Sequence, residues 1–360
     1  MNSREIIFIC GHLHGGGAER VACTLANSLV DRGWKFTFYL LKDDCIKFNL
    51  DSRVNVDLSY CDPSMNCFRR IFICRKILKS NPDAVLLEFL PSNCMYTALA
   101  KIGLPNYSVA SIRNYPDLDF GTSFISKILT GARNWSYKRF DSIVCQTPDQ
   151  IEVLPSSLHN KCVCIENPLR NKFDIVDSEN NKSIVCVGRL EDQKNYELAI
   201  GAFEIFSKSN SEFTLDIFGV GPLEKTLMDF AAEKHIKNKV VFHGFCNVEE
   251  ALSTAYIYLM TSNYEGIPNS MMEAVASGLP VVTTDFTGGG AQVLVKNDFN
   301  GVIVDSYNAE DVADGLAIVM NNYGFYKRNA IVYGEDFTVS HSATFITKRW
   351  EEILNCGNVK

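Results

Sequence analysis

The 360-residue sequence has no CxxC pair, only six histidines, and no apolar run approaching the ~20 residues that span a bilayer. Each absence excludes something. Thirteen cysteines without metal-ligand spacing, several inside apolar runs (Cys10, Cys145, Cys186), read as reduced, buried thiols, not as a zinc site or a disulfide framework. The short apolar run at 6–10 meets a glycine-rich turn at once, which suits a first strand and not an export signal. The expected compartment is therefore the cytoplasm. Positive charge is scarce in the second half: residues 169–360 carry 16 Lys and Arg against 26 Asp and Glu, while residues 1–168 carry 19 against 16. That balance excludes a nucleic-acid partner, whose phosphates need clustered cations.

Strand and helix patterns then alternate along the chain. "REIIFICGHLHGGGAERVACTLANSLVDRGWKFTFYLL" reads as strand, glycine loop, helix and strand, a βαβ unit. Further strands are predicted at 84–87, 107–112 and 142–145. The polar stretch 166–182 lacks periodicity and reads as a linker, after which strands restart at 183–187, 213–218, 240–243, 256–260 and 280–284. A last helix is expected around 341–355, with apolar positions at Phe345, Ile346, Trp350 and Leu354. The pattern predicts an α/β protein of two Rossmann-like, doubly wound domains facing a central cleft. Their spans are 1–168 and 169–340, with 341–360 packing back toward the first domain.

Three blocks carry chemistry. In "YEGIPNSMMEAVASGLPVV", Glu265 and Glu273 are acids that can accept bonds from sugar or ribose hydroxyls, and the second lies early in a helix beginning near Pro268. Main-chain N–H groups of Gly266, Ile267, Pro268's neighbour Asn269 and Ser270 would face oxygen atoms of a ligand. Separately, each glutamate is more simply a helix acid or a solvated loop residue. In "VCVGRLEDQKN", Arg189 offers a planar fork and Lys194 a point charge at a strand's carboxyl end, which suits a diphosphate. The plainer alternative pairs Lys194 with Glu191 or Asp192. In "GHLHGGGAERV", Gly16 and Gly17 let the backbone approach an anion at a helix start, although the run does not satisfy GxGxxG. Gly219 in "GVGP" is a similar turn.

As a set, and in this order, these blocks with "HGF", "SGLPVV" and "NGVIV" resemble family 4 of the retaining glycosyltransferases, whose fold is called GT-B. "GGAER…LANSL" and "SIRN" look closest to bacterial enzymes building O-antigen, capsule or other lipid-linked oligosaccharides. The resemblance implies a UDP-sugar donor, a hexose or N-acetylhexosamine, no required metal or other cofactor, and a polyprenyl-diphosphate-linked saccharide acceptor. It implies that Glu273 binds the ribose, Glu265 the transferred sugar, and Arg189 with Lys194 the diphosphate. Glu265, Arg189 and Lys194 are the expected catalytic set. Arg113 stands where many relatives have histidine; with Asn114 it is expected on the acceptor or sugar side, and it cannot serve as a base.

Two segments rich in cations, 66–80 and 127–139, interleave Arg69, Arg70, Arg75, Lys76, Lys79, Arg133, Lys138 and Arg139 with apolar residues. They suggest peripheral contact with the anionic inner face of the cytoplasmic membrane, against the simpler reading of solvated helix faces. A nucleotide-sugar epimerase of the same fold would need an acid/base set that these motifs do not show. A dinucleotide-dependent oxidoreductase fails on the glycine pattern. A non-catalytic binding protein would be expected to lack Glu265, Lys194 or Arg189, and all three are present.

Overall fold

The computed structural model describes residues 5–121, 123–170, 172–178 and 180–356. The chain divides into two units, Met1–Arg170 with His341–Lys360, and Asn171–Ser340. The division at 170/171 falls within the segment read as a linker, two residues beyond the expected 168/169 boundary.

The first unit is built on a seven-stranded parallel sheet. Its strands are β1 (Glu5–Cys10), β2 (Lys35–Leu40), β3 (Asn55–Asp57), β4 (Val85–Phe89), β5 (Ser108–Ser111), β6 (Ser142–Cys145) and β7 (Cys162–Cys164), ordered β3-β2-β1-β4-β5-β6-β7. Side chains alternate across the sheet as the pleat requires. Ile6, Phe8 and Cys10 pack with α1 (Gly17–Asp31) and the Ala343–Asn355 helix. Ile7 and Ile9 face the opposite layer of α2 (Cys67–Ser80), α3 (Pro91–Ala100) and α4 (Phe124–Arg139). The Ala343–Asn355 helix seats Trp350 in the core, 6.0 Å from the Phe89 ring, and Glu351 accepts from Trp34 Nε1 at 2.8 Å and Arg32 Nε at 2.5 Å. Phe345, expected on its apolar stripe, is exposed instead.

Two of the cations expected on the surface point inward. Arg70 shares the buried stripe of α2 with Ile73, Cys74, Ile77 and Leu78, where it donates to Asn93 Oδ1 at 3.0 Å and lies over the Tyr96 ring. Arg133 is wholly buried in α4, paired with Asp119 at 3.0 Å and with the Pro116 carbonyl. Helical spacing puts both on the core side, where Arg133 meets a carboxylate and Arg70 an amide oxygen and an aromatic ring.

Glu88 in β4 is wholly buried, and burial raises its pKa well above the ordinary carboxylate value, against smaller opposing effects of Arg70 and the Ile9 main chain. The fold thus favours the protonated acid. The stability this lends is complete below the unfolded glutamate pKa of about 4.3 and is lost as pH rises toward the folded value. Glu88→Gln is expected to flatten that slope, so that wild type loses melting temperature relative to the variant from acid to neutral pH. Parallel melting curves would contradict the assignment.

The second unit holds a six-stranded parallel sheet of β8 (Ser183–Val187), β9 (Thr214–Phe218), β10 (Val240–Gly244), β11 (Ala255–Met260), β12 (Val281–Thr284) and β13 (Gly301–Val304). Its order is β10-β9-β8-β11-β12-β13, so the chain grows outward one way from β8 and the other way from β11. Loops leaving the carboxyl ends of such neighbours diverge and open a crevice, the usual ligand position in doubly wound sheets. In the first unit the same reversal falls between β1 and β4.

Candidate active site

Loops after β8 and β11 meet at the reversal of the second unit. Lys194, at the end of a short 3-10 turn after β8, donates from Nζ to Glu265 Oε1 at 2.6 Å, and the two side chains are only 16% and 11% exposed. Ser262 Oγ donates to the same carboxylate oxygen at 3.2 Å. This ion pair is scaffolded by main chain. Asn263 N donates to the Gln193 carbonyl at 2.8 Å, Gln193 Nε2 to the Tyr264 carbonyl at 2.9 Å, and Asn263 Nδ2 to the Asp192 carbonyl at 2.9 Å. Asn195 takes the left-handed conformation (φ 49°) that lets the turn end as the Tyr196–Phe206 helix begins. Such bracing fixes Lys194 and Glu265 before any ligand arrives.

Arg189 stands differently. It is 65% exposed and pairs with Glu191 at 3.0 Å. An exposed pair of this kind is worth about 0–1 kcal/mol, so an incoming anion can displace Glu191 cheaply.

The Asn269–Ala276 helix follows the Glu265 loop, with Pro268 as its extended N-cap (ψ 120°) rather than its first helical residue. Proline suits that position as well, since it needs no helical partner. Ser270 fastens the helix start to the sheet: its Oγ donates to the Val187 carbonyl at 3.1 Å and meets Tyr258 Oη at 2.8 Å. Burial raises the Tyr258 phenol well above its usual pKa, which keeps it a hydroxyl. Glu273, one turn on, is buried.

Glycines let these loops approach. Gly266 lies under the loop after β12, where a Cβ on Gly290 would stand 2.0 Å from the Gly266 carbonyl oxygen. Glu265 N donates to the Thr287 carbonyl at 3.0 Å in the same contact. Gly219, at φ 151°, approaches the loop of Arg189 so closely that a Cβ there would lie 1.8 Å from the Gly188 oxygen. Gly219→Ala is therefore expected to cost about 1–3 kcal/mol through overpacking against main chain. Chemical denaturation checks it; a loss under a few tenths would show that the loop yields.

In the first unit, Gly16 is the N-cap of α1 and Gly17 its first residue. Sequence reasoning passed over the neighbouring His12 and His14, whose rings stack at 4.2 Å, with His14 Nε2 3.1 Å from Asp43 Oδ2. Arg113 follows β5. Its Nη1 donates to Asn167 Oδ1 at 2.6 Å, and its guanidinium lies 4.0 Å from the centre of the Phe89 ring. Its Nε and Nη2 are buried without a hydrogen-bond partner among the described residues. Desolvation lowers its pKa to about 9, which leaves it cationic at neutral pH. It lines a cavity of about 300 Å³ together with Leu90, Ser92, Asn114, Asp119 and Phe120. Leu90 caps α3 with φ 67°, a strained setting for a non-glycine residue. The described residues contain no group of three or more His, Cys, Asp or Glu placed to hold a metal ion.

The predicted residues thus fall in two places: Arg189, Lys194, Gly219, Glu265, Gly266, Ile267, Pro268, Asn269 and Glu273 in the second unit, and Gly16, Gly17, Arg113 and Asn114 in the first. Gln193, Asn263, Ser262 and the Thr287–Gly290 turn were missed. The glycine run 288–290 just after a strand was a usable signal for the last of them.

The chain is similar to several known proteins. Residues 169–334 match the family described as glycosyl transferases group 1. An uncharacterized glycosyltransferase of Haemophilus influenzae is 26% identical, over 96% of this chain and 98% of its own. A Campylobacter jejuni protein, named GalNAc-alpha-(1->4)-GalNAc-alpha-(1->3)-diNAcBac-PP-undecaprenol alpha-1,4-N-acetyl-D-galactosaminyltransferase, is also 26% identical, over 97% and 98%. The crystal structure of an S. aureus TarM mutant in complex with fondaparinux, alpha-GlcNAc-glycerol and UDP has a TM-score of 0.80 at 13% identity, covering 98% of this chain and 100% of that one. The chain has the GT-B fold, residues 169–334 in its second unit match the group 1 glycosyl transferase family, and these similarities support a glycosyltransferase of the family 4 type.

Proposed function

We propose that the chain is a retaining transferase that moves a hexose or N-acetylhexosamine from a UDP-sugar to a lipid-linked saccharide in bacterial surface polysaccharide synthesis, working at the inner face of the cytoplasmic membrane. The observation that carries this reading is the Lys194–Glu265 contact at the strand-order reversal. A held cation beside a held carboxylate supports this reading, because a donor's diphosphate and sugar call for that pair of groups.

In this reading the second unit binds the nucleotide sugar. Lys194 and Arg189 hold the diphosphate, Gly219 and Gly266 allow close main-chain approach, and the start of the Asn269–Ala276 helix contributes its dipole. Asn269 helps choose the sugar, Glu265 accepts from its hydroxyls, and Glu273 from the ribose. In the first unit, Arg113 and Asn114 serve the acceptor or the sugar, and Gly16 and Gly17 let main chain approach an anion. The bond between the anomeric carbon and the diphosphate oxygen breaks, and the acceptor hydroxyl oxygen attacks from the same face. Its proton passes to the departing phosphate oxygen. Negative charge grows on the diphosphate as the bond opens, so prepositioned cations stabilise the transition state more than the bound substrate. No metal is needed for that task when Lys194 and Arg189 supply it.

The relatives lend support: the TarM complex contains UDP, and the Campylobacter protein's name specifies an undecaprenol-linked acceptor. A panel of nucleotide sugars tested for thermal stabilisation and slow hydrolysis is expected to single out a UDP-sugar. The anomeric configuration of the product, read by NMR, is expected to match that of the donor. Preference for another nucleotide, or an inverted product, would overturn the corresponding part.

A further inference from the structure

The layer of α2, α3 and α4 on the first unit has a chemically unusual outer face. Phe68 and Phe72 on α2 are 86% and 69% exposed, and Phe124, Ile125 and Ile128 on the first turns of α4 are 78%, 67% and 59% exposed. α3 packs against both α2 and α4. Water-exposed aromatic side chains scattered singly need no explanation, but a group on adjoining helices marks a surface built to be covered.

Charge tells what covers it. None of the three helices contains an aspartate or glutamate. With Arg70 and Arg133 turned inward, exposed cations remain at Arg69, Lys76, Lys79, Lys127, Lys138 and Arg139, although Arg69 reaches Asp62. The chain as a whole carries a net charge of −7, so this positive face runs against the general balance. Exposed apolar side chains on helices that also carry exposed lysine and arginine suit an interface with an anionic bilayer, where the former enter the acyl boundary and the latter meet phosphate headgroups. No helix among the described residues is long and apolar enough to cross a membrane, so contact through this face would be peripheral.

We propose that α2 and the N-terminal end of α4 form a docking face for an anionic lipid bilayer, with Phe124, Ile125 and Ile128 as the inserting tip and Phe68 and Phe72 as a second anchor. The position is economical for chemistry. Asp119 and Phe120, a few residues before that tip, line the cavity that holds Arg113. A lipid-linked acceptor lying in the bilayer would then present its polar end beside the Arg113 guanidinium. The link between docking and acceptor rests on the function proposed above; the docking itself does not.

The test is co-sedimentation with vesicles of phosphatidylglycerol and phosphatidylethanolamine, beside vesicles of phosphatidylcholine alone. Wild-type protein is expected to bind the anionic vesicles and to be released by high salt. The double variants Phe124→Ser/Ile128→Ser and Phe68→Ser/Phe72→Ser are each expected to bind roughly tenfold or more weakly, with unchanged melting temperature, because buried apolar area sets interfacial affinity. Phe245→Ser, on an equally exposed phenylalanine of the second unit (81%), should bind as wild type does. Equal binding by wild type and the double variants overturns the proposal, as does equal binding to neutral vesicles. So does absence of vesicle binding together with a dimer, seen by sedimentation velocity, that the same variants dissociate. Transfer to a detergent-dispersed acceptor without vesicle binding would refute docking and leave the transferase reading standing. Docking without transfer would do the reverse.

Discussion

Replacing Lys194 by alanine is expected to lower turnover by about 10²–10³-fold, the usual effect of removing one preorganised group that meets developing negative charge. Two features of the structure make the loss severe. Lys194 is largely shielded from solvent, so its charge acts in a poorly screened setting, and Gln193 and Asn263 fix the turn that carries it. Substitution also leaves Glu265 with Ser262 but without its cation. Lys194→Arg keeps charge but not shape, and should recover only part of the rate. KM for the donor should change less than turnover, because the effect is sought in the transition state. Arg189→Ala is expected to be milder, since an exposed guanidinium interacts through solvent. Near-normal turnover in Lys194→Ala, with a matching melting temperature, would remove the diphosphate role.

The second large effect is on stability. Trp350→Ala should destabilise the first unit by about 3–5 kcal/mol, the range for emptying a buried aromatic site. Trp350 is completely buried among the side chains between α1 and the sheet, and its helix is tied down through Glu351 and Arg349. A domain stable by only about 5–15 kcal/mol cannot lose this much without a visible fall in its unfolding midpoint. The substitution also reaches Arg113, whose guanidinium lies 5.6 Å from the indole ring. Trp350→Phe should recover much of the stability. A loss below about 1 kcal/mol on Trp350→Ala would mean that the site collapses and refills.

How legible was this protein in its sequence? Strands such as Ser183–Val187 and Ser142–Cys145 could be read to the residue, because a short apolar run stops at glycine or a polar turn. The edge strands β3 and β7 could not. Each is three residues long: "NVD" holds one apolar residue and "CVC" is too short a run to announce a strand by itself, so their neighbours make them strands. Helical periodicity puts Arg70 on the buried stripe of α2, but its charge read as a surface residue; Asn93 and the Tyr96 ring, which receive it, come from another helix.

The site divided similarly. Arg189, Lys194, Glu265 and Glu273 stood out because charged residues recur at strand ends and a helix start. Pairing did not stand out. Nothing in "GRLEDQKN" distinguishes a Lys194 partner at Glu191 from one at Glu265, and the structure gives Glu191 to Arg189 instead. Gln193 and Asn263 act through contacts between segments far apart in the chain, which local pattern cannot register. The His12–His14 stack was hidden for the opposite reason: it lies in plain view beside the glycine run, but its meaning depends on Asp43 arriving from beyond β2.

A crystal structure of the protein soaked with UDP tests the central claim most directly. The diphosphate is expected within hydrogen-bonding distance of Lys194 Nζ and the Arg189 guanidinium, with the ribose hydroxyls against Glu273. A nucleotide bound with its phosphates away from Lys194, or a ribose held by other residues while Glu273 stays walled in, would contradict it.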